Sequence, residues 1–126
     1  DHAEALRQAE EACAFVEQYS IRHRVPLVRL STGLVLAAGG AHEKALAQFA
    51  AAEAAATAMG MDPLRRQLQA ATAISLRALG RNAEAEQQQA AARATANAIA
   101  ARIGDETLRR EYLSAIEGRQ LLLAQP

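Results

Sequence analysis

At 126 residues the chain suits one domain with a modest core, and its fourteen acidic and fourteen basic groups cancel. That balance removes the broad basic footprint by which nucleic-acid binders are usually marked. The 51% hydrophobic fraction rests on 33 alanines, with two Phe, two Tyr and no Trp, so any core must come from close helix contacts rather than from large side chains.

In chain order, the first helix is predicted from about Ala3 to Tyr19, with Ala5, Ala9, Ala12, Val16 and Tyr19 recurring at the three- and four-residue steps of one face. Cys13 lies beside that stripe and reads as a small buried hydrophobe. As the only cysteine it allows no internal disulfide. Ser20 to Val25 forms a basic connector, and Pro26 opens the second helix, which carries Leu27, Leu30, Leu34 and Ala37 before Gly39-Gly40. A third helix is expected over Ala41 to Met59, facing Ala45, Phe49, Ala52 and Ala56 inward and ending at Gly60. Asp62 is placed as the cap of the fourth, with Pro63 at its first position and Leu64, Leu68, Ala71, Ser75 and Leu79 along one side. Gly80 closes that helix, and Asn82 is placed as the cap of a fifth running to about Ile103. Beyond Gly104, Asp105 caps a sixth with Leu108, Tyr112, Ala115 and Ile116 inward. The class is all-α, about six helices joined by short connections as antiparallel hairpins. No apolar run nears the length that spans a bilayer and no secretory leader opens the sequence, so membrane insertion is not expected and a cytoplasmic setting is.

The chain also echoes itself at 40 residues. Ala5, Ala45 and Ala85 are one set; Ala12, Ala52 and Ala92, Thr32 and Thr72, Leu36 and Leu76, and Gly40 and Gly80 are others. A fixed period of this size reads as stacked helical units, none of which buries its apolar face alone. Over Gly33 to Ala52 the echo resembles a tetratricopeptide repeat: Gly33 at the small first-helix position, Gly40 at the turn, Ala45-x3-Phe49 and then Ala52 in the second helix. The following copy reads Ala73, Gly80, Ala85, Gln89 and Ala92. The family's tryptophan is replaced by Arg29 and Gln69, its proline by Thr57 and Asn97, and the period exceeds the family's usual one.

The resemblance implies a right-handed superhelix of about two and a half repeats. Residues 1–20 form a half repeat, about 26–60 and 63–103 the full ones, and 105–117 a capping helix. Longer alanine-rich repeats with weak signatures are similar to the helical arms of maltose-regulator-type transcription activators and of bacterial signalling ATPases. A front edge that begins on a second helix leads to two expectations, a piece of a longer protein or a homodimer through the N-terminal helix.

Catalytic and metal chemistry find little support. His2, His23 and His42 lack converging ligands at metal spacing. Glu10-Glu11 and Asp105-Glu106 point to different helix faces. Ser31 and Ser75 have no base placed for them by the sequence, and Gly39-Gly40 lacks a phosphate-loop lysine. The short pairs Arg65-Arg66 and Arg109-Arg110 read as solvated faces. No enzyme, cofactor or metal is expected. By position, the resemblance selects Leu27, Leu30, Leu34, Gln67, Ala70, Ile74, Arg77 and Arg110 as groove residues. It implies binding to a protein or peptide partner, or to another domain of a parent chain. The alternative is a small effector sensed in the same groove.

Overall fold

A computed structural model describes residues 1–18 and 22–124, with side chains described through residue 117 except at Val16. The helices are α1 (His2–Gln18), α2 (Val25–Ala38), α3 (His42–Ala58), α4 (Asp62–Ala78), α5 (Asn82–Ala101) and α6 (Glu106–Ala124). A 3-10 turn, Arg22–Arg24, precedes α2, and no strand occurs among the described residues. The fold is all-α. Each helix packs on the next, most thinly at α5 and α6, and α2 also touches α4 across α3. The predicted ends shift by one or two residues, except that α6 runs on to Ala124 instead of stopping near 117. Tyr19 and the Ser20–Ile21 part of the connector lie outside the described residues.

One turn is built three times, at twenty-residue intervals. Gly40, Gly60 and Gly80 have φ of +84°, +68° and +78°, a region where a Cβ is strained and glycine is not. In the first turn the Gly40 N–H donates to the Ala37 carbonyl (3.0 Å) and the Ala41 N–H to that of Leu36 (2.9 Å). Met61 to Ala56 and Arg81 to Leu76 repeat the longer bond at 2.9 Å in each case. These are Schellman closures, which satisfy the orphan carbonyls of a helix end while reversing the chain. Ala41, Met61 and Arg81 then share one backbone conformation and cap the next helix with no side-chain bond. The caps assigned to Asp62 and Asn82 are therefore corrected: the tight turn takes one residue fewer than expected, and both residues fall inside the first helical turn.

The fourth helix end differs. Gly104 does not adopt positive φ. Instead the Arg109 guanidinium donates to the carbonyls of Ala100 (3.1 Å) and Ile103 (2.7 Å), replacing the glycine closure with a side chain. Arg109 is thus a structural residue, not a solvated one. Asp105 does cap α6 as expected, its carboxylate accepting from the Leu108 N–H at 2.9 Å.

Alanine sets the helix spacing. Ala45, Ala52, Ala56, Ala85 and Ala92 are sealed, with Leu30, Leu36, Phe49, Leu64 and Leu68 filling the space around the α2–α4 contacts. The α1 stripe is rotated from its predicted position: Leu6, Ala9 and Cys13 turn inward while Ala5 and Ala12 are exposed. Leu6 explains the rotation, because burying it against the core removes more apolar area than either alanine would. Cys13 is only half-buried, its Sγ 3.4 Å from the Thr32 hydroxyl. In α6, Leu108 and Ala115 face outward, and Tyr112, Leu113 and Ile116 form the inner side.

At Gly33 the backbone of α2 lies against the Phe49 ring, and a Cβ there would sit 2.4 Å from Cε1. Phe49 is itself buried, so a Cβ at Gly33 would force the ring to shift. Gly33→Ala is expected to destabilise by about 1–3 kcal/mol through overpacking. Gly60→Ala should lose about 1–2 kcal/mol through backbone strain alone. Gly104→Ala, with open space around it, should stay within about 0.5 kcal/mol of wild type. Urea denaturation of the three variants checks this ordering.

Asp62 ties the start of α4 to the end of α5. Its carboxylate accepts from Arg102 (2.7 Å) and Arg65 (3.3 Å), and these bonds, Arg102's first, hold its pKa below the usual carboxylate value. A depressed carboxylate contributes stability that is present above the ordinary aspartate pKa and disappears as pH falls through the folded value. Asp62→Asn should therefore melt below wild type at neutral pH, with the gap closing in acid. Thermal melts from pH 7 down to about pH 2.5, spanning the carboxylate range, test it. A constant gap across that range would assign the effect to packing.

Candidate functional site

A concavity lies between α2 and α4. α3 packs against both, so its side chains form the floor, and Phe49 provides most of it. The cavity holds about 270 Å³ and is lined by Leu30, Leu34 and Ala37 from α2, and by Arg66, Gln67, Ala70, Ala71, Ile74 and Ser75 from α4. Leu34 (49% exposed) and Ile74 (38% exposed) stand at its rim. Large apolar side chains left this open beside a concavity are the usual sign of a surface that something else covers.

Five of the eight positions assigned to the groove are brought together here: Leu30, Leu34, Gln67, Ala70 and Ile74. Three are not. Leu27 is exposed on α2 but does not line the cavity. Arg77 reaches along the next hairpin to donate to the Gln89 Oε1 at 2.6 Å. Arg110 is spent on Glu106 within α6, which packs on α5. The expectation that α6 extends the groove is corrected, because the Arg109-built end of α5 gives it only a thin contact.

Arg66 is the residue that position-by-position reasoning missed. It was grouped with Arg65 as a solvated face, yet it is only 7% exposed and lines the cavity. Among the described residues no acceptor reaches its guanidinium. Asp62, one turn earlier on the same face, is turned to Arg65 and Arg102. The signal was present in the spacing: Ala70 and Ile74 step back by four to Arg66. Arg65 instead packs half-buried beside Asp62, with its Nε buried and unpaired.

A second correction concerns Ser75. It is fully buried at the far end of the cavity wall, and the His42 Nδ1 lies 3.1 Å from its Oγ. The sequence left Ser75 without a base, and the hairpin turn at Gly40 brings one to it. The pair is a part-buried hydrogen bond between α3 and α4, and His42 is half-buried. No group of three or more His, Cys, Asp or Glu side chains able to hold a metal occurs among the described residues.

Comparison with protein-family models, with curated proteins and with solved structures gives no match.

Arg29 and Gln69 are polar cross-links between helices. Arg29 on α2 donates to Gln48 of α3 (3.1 Å) and pairs with Glu17 of α1. Gln69 on α4 donates to Glu53 of α3 (3.3 Å) and accepts from the Thr95 hydroxyl of α5 (2.8 Å). Each bridges the helices on both sides of its own, on the face away from the cavity. Both Gln69 and Thr95 are buried: removing Thr95 takes the donor from the Gln69 Oε1, while without Gln69 the Thr95 hydroxyl still has the Ala91 carbonyl at 3.0 Å. Thr95→Val and Gln69→Leu should each destabilise by about 1–3 kcal/mol, and the double variant by clearly less than their sum. Denaturation of all three closes that cycle.

Proposed function

We propose that this chain is a tetratricopeptide-like recognition module, a stack of rigid helical hairpins whose α2–α4 groove receives a partner. Its setting in this reading is the helical arm of a bacterial signal-transduction or transcription-regulatory protein. The repeated Schellman turns, the 40-residue register of sealed alanines and the Gly33–Phe49 contact support the repeat architecture. The single observation that carries the binding role is the gathering of Leu30, Leu34, Ala70 and Ile74 around one cavity, with Leu34 and Ile74 open to solvent. Such a groove suits the apolar face of an amphipathic helix, supplied by another protein or by another domain of a parent chain. No helix among the described residues is long and apolar enough to cross a membrane.

A second reading is a sensor of a small effector. It is favoured by Arg66, a cation on the cavity lining that no acceptor among the described residues holds. The two readings separate by mass action: an effector raises the melting temperature of the isolated chain, and a missing protein partner leaves it where it was.

Ala70 is central to both. It sits on the cavity wall, half-buried, one turn from Arg66. Ala70→Asp is expected to abolish binding while far-UV circular dichroism keeps the wild-type helicity. Helicity lost with binding would identify Ala70 as core and remove the groove from consideration.

A further inference from the structure

We infer that the α2–α4 cavity takes a small carboxylate with an apolar body, held at its acidic end by Arg66. The inference rests on the effector reading of the groove and gives its ligand a chemical class.

The cavity offers two kinds of surface. Leu30, Leu34, Phe49, Ala70, Ala71 and Ile74 make most of it apolar, and its volume of about 270 Å³ lies near the lower end for small-molecule sites. Such a lining rewards a hydrocarbon or aromatic body by the area it removes from water. The exception is Arg66, whose guanidinium carries five N–H donors. Its nitrogens are not sealed from water, and no acceptor among the described residues holds them, so an anion entering the cavity takes the place of that water.

No pair is available within the described chain. Asp62 is the carboxylate at helical spacing on the N-terminal side, and Arg65 and Arg102 occupy it. At the spacing on the C-terminal side stands Ala70, which has no acceptor to offer. Glu53, on the neighbouring helix, accepts from Gln69 on the other face of α4.

A carboxylate is the anion that matches these surroundings. Its two oxygens accept the guanidinium fork in parallel, a geometry a lysine could not reproduce. Phosphate would match the fork as well, but its further charge would meet no second cation, since Arg66 is the one charged residue lining the cavity among the described residues. A polar or sugar-like body would leave its hydroxyls against Leu, Ala, Phe and Ile. A partner segment lying across the rim could reach Arg66 only with one acidic side chain, whereas a free acid enters whole.

The test uses the 126-residue chain with straight-chain acids from hexanoate to dodecanoate and with 4-phenylbutyrate, each beside its neutral amide. Binding is read by calorimetry and by thermal shift. The inference expects saturable binding of at least one acid and a preference over its amide of about ten- to hundredfold, the value of a charge-assisted bond. Arg66→Met should remove that preference while far-UV circular dichroism keeps the wild-type helicity. Arg66→Lys should keep only part of the preference. If an amide binds as well as its acid and Ala70→Asp abolishes both, the role of Arg66 is overturned while the groove reading stands. If no probe binds, charged or neutral, this inference and the effector reading fall together and the groove is left to a protein partner. Should Arg66→Met fail to fold, the acid–amide comparison on wild type and on Arg66→Lys decides.

Discussion

A helix that ends in a left-handed residue sends the chain back over itself within three residues, and here that happens three times at one spacing. The closure leaves no slack. Each helix must lie against its predecessor along its length, and the facing positions must be small enough to let two backbones approach. Ala45, Ala52, Ala85 and Ala92 meet that demand, and Gly33 meets it so closely that the Phe49 ring rests where a Cβ would be. Packing of this kind buries little area per residue, so stability has to come from good helix propensity and from many close contacts rather than from a few large side chains.

The groove follows from the same constraint. Since α2 and α4 both pack on α3, they flank it, and nothing of alanine size can fill the space between them above its face. Phe49 raises the floor without filling it. What remains is a cavity with leucine and isoleucine on its banks and a cation in its wall. Its shape therefore depends on the hairpins, and its chemistry on a handful of side chains, chiefly Arg66, whose neighbours are committed elsewhere.

Much of the scaffold is written plainly in the residues. The glycines at 40, 60 and 80 and the alanines at 40-residue offsets carry the turns and contacts, because both depend on local stereochemistry and small volume. Five of the positions that the tetratricopeptide resemblance selects line the cavity. The errors share a physical origin: they concern where a helix rotates and what a side chain meets across a turn. The α1 face rotated because one leucine outweighs two alanines. Asp62 and Asn82 lost their caps because the Schellman turn is one residue tighter than a polar cap requires. Arg66 and the His42–Ser75 bond were hidden because composition shows that an arginine or a serine is present, but its burial is decided by helices distant in sequence.

The uniform turns also govern how such a chain can change length. Adding or removing one residue within α3 or α4 rotates everything after it by about 100°, carrying a sealed alanine out of its contact and a polar neighbour into it. The three-residue turns cannot absorb the change, since each has its hydrogen bonds and its left-handed glycine in fixed places. The stretch around Gly104 is different. Open space surrounds it, the closure there is made by the long and adjustable side chain of Arg109, and the contact that follows is thin. Insertions should therefore be tolerated at that junction before any other. The array is built to vary at α6 and to keep the hairpins framing the cavity at fixed length.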